Sequence, residues 1–253
     1  MRRIGLAVAA LGVTTALVGC SGDDGGDNGG ESTGGADTAD FAELAPEEIV
    51  DLAREDMRKL ESVKVSGTVT NDGQEITIDL QTSSAGDCTG SISLDEGTAE
   101  LIGVEGETWM RPNEEFWRLS AGPEAEGILS LVRDKWVAVP TGGDSFDQFC
   151  DLDELLDELL SDDEADPEDT LTSRGTEDLD GEEVVLIDKE DAGEDNDGTA
   201  TSYVLVEAPH YLVKVEKTEG EDTGAVTFSE FDAEFDVEPP PADEVIDLES
   251  LGG

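Results

Sequence analysis

Leu17, Val18 and Gly19 lead an apolar run directly into Cys20, and a thiol in that setting has a well-defined chemistry open to it. The sulfur takes a diacylglyceryl group by thioether, cleavage before the modified residue frees its amine, and that amine can be acylated in turn. Arg2 and Arg3 supply a positive start, and the apolar residues 4–18 fall short of the ~20 that span a bilayer, which is the make-up of a signal peptide. Residues 17–20 therefore read as a bacterial lipobox: residues 1–19 are expected to leave, with the cut between Gly19 and Cys20. At ~0.8 kcal/mol per buried methylene, two or three acyl chains on Cys20 would hold the protein durably on a membrane. The plainer reading is a secretory signal with an incidental cysteine. It fits less well with the small Gly19 and with the polar tract that starts at Ser21.

Other reactive chemistry is sparse. His210, the one histidine, stands between Pro209 and Tyr211 at a turn, and general-base work needs an orienting partner and a cleft. There is no Gly-x-Ser-x-Gly elbow, no His-Glu-x-x-His pair, no Gly-x-x-x-x-Gly-Lys run and no Cys/His spacing for zinc. Asp195-Asn196-Asp197-Gly198 imitates part of a calcium loop but fails it, because Gly193 and Val204 occupy the positions that require Asp and a bidentate Glu. Carboxylate pairs arise by chance in so acidic a chain and identify no glycosidase. No catalytic residue, metal or cofactor is expected, and the chain is not read as an enzyme. Cys88 and Cys150 remain as an even pair in an exported domain, which points to a disulfide worth on the order of 4 kcal/mol in the chain-entropy model. Two free buried thiols are the alternative.

Charge narrows the partners. With 65 acidic against 14 basic residues, and a formal net charge of −51, the surface repels nucleic acid and anionic lipid heads. A membrane anchor must then be the acyl group and not a basic patch. Such a charge also weakens the compact state through self-repulsion, which salt screens over ~10 Å at 0.1 M. A saline habitat and a merely well-solvated surface are equally good readings of it.

The elements that must carry these residues follow from periodicity. Residues 21–40 are Gly, Asp, Ser, Asn and Thr with almost nothing apolar, so Cys20 and this stretch are read as a disordered tether over 20–40, reaching some 25 Å on average. A single domain is expected over 41–253. Pro46, Glu47 and Glu48 open a helix that Ile49, Leu52, Ala53, Met57 and Leu60 continue. The period then switches to two. Residues 63–70 and 76–80 flank Asn71-Asp72-Gly73 as a hairpin, and short runs at 90–94, 100–104 and 107–111 extend a meander. Residues 114–139 concentrate Phe116, Trp117 and Trp136 without a clear period. Asp144 or Ser145 is expected to cap a second helix carrying Phe146, Phe149, Leu152, Leu156, Leu159 and Leu160. Strand signals resume at 170–174, 183–188, 202–207, 211–217 and 224–231, and residues 242–251 read as a short terminal helix.

Many strands and few helices predict an α+β fold, an antiparallel sheet with helices covering its one dry face. If the covers do not fill that face, an apolar cavity results. Its candidate lining is the inward alternation set Val65, Val69, Ile78, Leu80 and Ile92 with Trp109, Trp117 and Trp136, since ligand pockets are mostly apolar with aromatic walls. Each of these is also legible as ordinary core, the tryptophans more readily so because aromatics dominate core burial, and periodicity does not separate the two.

Several short stretches, in order, carry a resemblance. They are the lipobox with its acidic tether, Glu61-Ser62-Val63, Cys88-Thr89-Gly90, Phe116-Trp117, and Asp134-Lys135-Trp136-Val137 with Pro140. Phe149-Cys150 ahead of an acidic Leu-rich helix and Phe228-Ser229-Glu230-Phe231 ahead of 239–245 complete the set. Over residues 41–248 the chain resembles actinobacterial envelope lipoproteins of the LppX and LprG type, themselves similar to the LolA and LolB carriers. The resemblance implies a strongly curved antiparallel sheet, a half-barrel, closed on its concave face by helices around an acyl-lipid cavity. It also implies a lipoprotein on the outer face of the cytoplasmic membrane that binds or moves acyl lipids or lipoglycans, with an envelope protein as a further partner. The rival reading is an interaction or sensor lipoprotein that uses the same scaffold with a filled core.

Overall fold

The computed structural model describes residues 41–71, 73–139, 146–160, 170–190, 198–220 and 223–247. The expected signal segment, Cys20 and the tether lie outside these residues, as do Asp144, Ser145 and residues 193–197. Helix α1 (Pro46–Met57) begins with proline and two acids at its positive end and turns Ile49, Ala53 and Met57 inward. Five strands follow as a meander: β1 (Ser62–Asn71), β2 (Gln74–Ser83), β3 (Cys88–Leu94), β4 (Gly97–Val104) and β5 (Glu107–Pro112). Helices α2 (Glu114–Ala121) and α3 (Ala125–Val132) come next, then β6 (Trp136–Val139), a 3-10 turn over Phe146–Cys150, and α4 (Leu152–Leu160). The second half is β7 (Thr170–Leu179), β8 (Glu182–Glu190), β9 (Thr199–Leu205), β10 (Leu212–Lys217) and β11 (Gly224–Ser229), with a short β12 (Val245–Ile246) near the C-terminus.

All twelve strands form one sheet in the order β12-β6-β5-β4-β3-β2-β1-β11-β10-β9-β8-β7. Local hairpins build most of it. The joint between its halves is non-local: β1 pairs β11, placing Val65 opposite Phe228 and Gly67 opposite Val226. The sheet is antiparallel except at one edge, where β12 runs parallel to β6. It is curved and unclosed, and glycine permits the bend. A Cβ added at Gly67 would come 2.1 Å from the Ala225 carbonyl oxygen, and one at Gly90 2.1 Å from that of Asp79. Neighbouring strands at these points approach too closely for any side chain.

The helices cover the concave face in two groups. Under α1 and α4, Met57, Leu152, Leu156 and Leu160 pack with Val63, Val65, Val185, Ile187, Val204 and Phe228. Under α2 and α3, Phe116, Trp117 and Val132 pack with Leu80, Ile92, Leu101, Met110 and Val137. Ile78 and Phe149 touch both groups. Cys88 and Cys150 form the expected disulfide, their Cα atoms 5.1 Å apart, and Gly103 lies directly beneath it. The bridge ties β3 to the turn that feeds α4.

Three expectations change. Residues 114–132 are helical, because Asn113 caps α2 by accepting the Phe116 N–H at 2.8 Å while Glu114 and Glu115 occupy its first turn. The helix expected from residue 144 begins only at Leu152, where the Asp151 carboxylate accepts the Glu154 N–H; the residues from Phe146 to Cys150 form the 3-10 turn instead. The terminal helix over 242–251 is not formed in its described part. Ala242–Glu244 make a single 3-10 turn, and the β-branched Val245 and Ile246 then take the open edge of β6. Among the described residues no helix is long and apolar enough to cross a membrane.

Candidate ligand cavity

Strand alternation decides what the concave face offers. From β1 it presents Val65, Gly67 and Val69; from β11, Phe228, Val226 and Gly224; from β10, Val215 and Lys217; from β9, Val204, Ser202 and Ala200. Where α1 and α4 do not reach, no helix among the described residues covers this surface. One cavity of 290 Å³ is lined by Val69, Val215, Val226 and Phe228, with Lys217 and Thr70 at its margin. A second, of 190 Å³, lies against α1 and the end of α4 and is lined by Val50, Ala53, Leu160, Val204 and Leu212. Val215 belongs to both walls. The larger volume stands at the lower end of the ~300–1,000 Å³ typical of ligand pockets.

The residues expected to line a cavity divide into three sets. Val69 lines the larger cavity. Val65, Leu80 and Ile92 are buried in the packed groups under the helices, Ile78 lies half-buried between those groups, and Trp117 is buried in the α2 contact. Trp109 and Trp136 stand on the other face of the sheet, which corrects the expectation for them. Thr108 and Met110 are buried on the concave side, so Trp109 between them faces outward, and Val137 pairs Met110, which turns Trp136 outward too. The Arg111 guanidinium covers the Trp136 ring at 4.6 Å from its centroid. Val215, Val226 and Phe228 are not among the residues that the sequence marks as cavity lining. Their alternation was readable, but the β1–β11 pairing that brings them beside Val69 joins residues some 160 positions apart.

Other polar groups take structural roles. His210 stacks on Phe41 with ring centroids 3.7 Å apart, its Nδ1 lies 3.1 Å from the Leu205 carbonyl oxygen, and its backbone N–H donates to Asp56 on α1. Burial works against ionisation of Asp56, but the His210 amide and the Lys59 ammonium outweigh it and hold the carboxyl below the usual range. On the convex face the Tyr203 hydroxyl donates to Glu216, which also pairs with Lys214. Burial, reinforced by the Glu216 carboxylate, pushes the Tyr203 phenol up to about 12. Among the described residues no three His, Cys, Asp or Glu side chains gather as a metal site would require.

A curved, unclosed sheet with helices on its concave face and an apolar opening beside them is a half-barrel architecture. LprF from Mycobacterium bovis matches with a TM-score of 0.51 at 13% identity, over 78% of this chain and 97% of that one. The Mycobacterium tuberculosis lipoprotein LppX gives 0.48 at 16% identity, over 76% and 98%. No family model matches the sequence, and no curated protein does. The likeness to LprF shows the fold alone, and that fold is the half-barrel expected from the sequence.

Proposed function

We propose that this chain is an envelope lipoprotein, anchored through acylated Cys20 on the outer face of the cytoplasmic membrane, whose half-barrel binds an acyl lipid and carries out no catalysis. In this reading residues 1–19 are removed, 20–40 tether the domain, and 41–253 form the lipid-binding domain. The observation that carries it is the apolar cavity bounded by Val69, Val215, Val226 and Phe228 on the concave face. Apolar area removed from water is worth ~25 cal/mol per Å², or ~0.8 kcal/mol for each methylene, so partition alone can hold a chain there without a covalent step. Lipid extraction of gently purified protein, followed by mass spectrometry, tests this directly. A stoichiometric acyl lipid is expected from the wild type, and Val226→Trp, which places an indole in the cavity, is expected to lose it while remaining folded. If both preparations come out free of lipid and neither takes up an added fluorescent fatty acid, the interaction-protein reading replaces this one. Fractionation tests the anchor separately: Cys20→Ala is expected to remove the acyl groups seen by intact mass.

A further inference from the structure

A groove runs around the opposite side of the sheet, at the end of strands β7–β11 that carries the β7–β8 turn and the β9–β10 loop. One part, of 590 Å³, lies on the convex face over Leu179, Val184, Leu205 and Val213. These residues belong to an apolar group drawn from β7, β8, β9 and β10 alone, to which no helix contributes. The other part, of 620 Å³, opens beside the β9–β10 loop, where Tyr211 and Phe231 stack with ring centroids 4.4 Å apart. Glu182, Leu205 and Phe231 border both parts, which makes them one groove. Each part is larger than either concave cavity.

The rim of this groove is acidic on both sides. Asp180, Glu182 and Glu183 come from the β7–β8 hairpin, Glu207 from the β9–β10 loop, and Glu230 directly follows β11. Among the described residues none of these five carboxylates pairs with a cation, and Lys214, the cation that borders the groove, is held by Glu216. Unpaired carboxylates are common on a chain with 65 acidic and 14 basic residues. What distinguishes these is the apolar floor between them, where Leu205, Val213, Tyr211 and Phe231 are only half-buried. A cleft of one sign with low-dielectric walls focuses the field and draws in the opposite charge. Anionic lipids and nucleic acids are repelled from it, and a small hydrated cation would leave the floor wet.

We propose that this groove docks a basic, hydrophobic peptide segment of a partner protein, with its apolar side chains on Leu205, Val213 and Phe231 and its Lys or Arg side chains on the carboxylates of the two rims. Charge complementarity selects the occupant. Ammonium and guanidinium groups form the stronger, charge-assisted hydrogen bonds with carboxylates, and a surface of opposite sign steers the encounter. The apolar residues then supply what charge alone does not, the removal of the floor from water. The groove lies on the face opposite the lipid cavity, and the proposal stands whether or not that cavity holds a lipid.

The test uses the full chain carrying Cys20→Ser and follows the anisotropy of a short fluorescent peptide of alternating lysine and valine in ~0.15 M salt. A version with glutamine for lysine removes the charge, and one with serine for valine removes the apolar side chains. Each should bind at least ~10-fold more weakly than the parent peptide. Glu182→Lys/Glu230→Lys should weaken the parent peptide by at least ~10-fold too, while Glu96→Lys/Glu126→Lys, the same change of charge on the β3–β4 turn and on α3, should stay within about twofold. All four positions are exposed, so both variants are expected to fold as the wild type does. Val226→Trp should bind the peptide unchanged, and Glu182→Lys/Glu230→Lys should keep its lipid, so that this proposal and the lipid-binding reading fail separately. Equal weakening by the two double variants, equal binding of the serine version, or displacement by spermine as readily as by unlabelled peptide would reduce the effect to diffuse attraction and overturn the proposal. Absence of peptide binding to the wild type overturns it outright.

Discussion

An added Cβ at Gly90 would meet the Asp79 carbonyl oxygen at 2.1 Å, and the backbone there has φ 154°, whereas one at Gly127 on α3 would meet nothing within 4 Å. The same substitution should therefore act with opposite sign at the two positions. Gly90→Ala forces the β2–β3 ladder apart and is expected to cost on the order of 1–3 kcal/mol, as overpacking does. Gly127→Ala lies in a helix and is expected to gain roughly 0.5–1 kcal/mol. Urea unfolding of the two variants checks both; a Gly90→Ala protein as stable as wild type would remove glycine from the account of the sheet's bend. Tyr203 offers a second test at this scale. Its folded phenol is pushed up to about 12 by burial and by Glu216, while an unfolded tyrosine titrates near 10. The stabilisation from keeping it neutral is complete below pH ~10 and is lost as pH rises from there through 12. Absorbance titration of the two tyrosines should show no ionisation midpoint at the ordinary value, since burial and Asp232 raise Tyr211 as well. In Glu216→Gln the Tyr203 midpoint should fall toward 10.

Helix α4 shows what a single tie does for an element. Its leucines pack into the group under α1, and the Cys88–Cys150 bridge fixes its entry against β3. The bridge closes a span of 62 residues. Removing a bridge of that kind costs typically 2–5 kcal/mol, and the loss should be local first. Cys88→Ser/Cys150→Ser is expected to lose hydrogen-exchange protection in residues 152–160 well before β1 and β2 do; uniform loss would mean that the bridge supports the fold as one cooperative unit. Elements were legible in the sequence to the extent that their period was local. Val63, Val65 and Val69 against Ile76, Ile78 and Leu80 spelled out a hairpin, and α1 announced itself through Pro46 and its apolar stripe. Helices α2 and α3 did not, because Gly122 and Pro123 interrupt residues 114–132 before either helix completes three turns. β12 was hidden for another reason: two residues have no period, and only the free edge of β6 makes them a strand. The cavity fell between these cases. Val69 was readable as inward-facing, but its partners on β10 and β11 arrive by pairing across most of the chain, and the strand phase that sends Trp109 and Trp136 outward depends on which neighbours are buried.

At the scale of the whole molecule two electrostatic effects oppose each other. A formal charge of −51 on 253 residues repels itself, and the sequence isoelectric point near 4.1 means that this repulsion persists until most carboxylates are protonated. Against it stand specific carboxylates that the fold keeps ionised. Lys214 and Tyr203 hold Glu216 below its ordinary value, and Asp56 stays low against its own burial through the His210 amide and Lys59. A carboxylate depressed in the folded state contributes stability that is present above its unfolded value and lost as pH falls through the folded one. Lowering the pH should therefore first help and then harm. At low ionic strength the melting temperature is expected to rise between pH 7 and roughly 5, as general repulsion relaxes, and to fall below about 4, as Asp56 and Glu216 take up protons. Salt separates the two contributions, because the screening length shrinks from ~10 Å at 0.1 M to ~3 Å at 1 M while short contacts within the fold are screened far less. In 1 M sodium chloride the protein should melt higher at pH 7 than in dilute buffer, the gain on acidification should vanish, and the loss below pH 4 should remain. A thermal scan over pH at the two salt concentrations decides it: an unchanged melting temperature at pH 7 would mean that the acidic surface is well solvated and places no strain on the half-barrel.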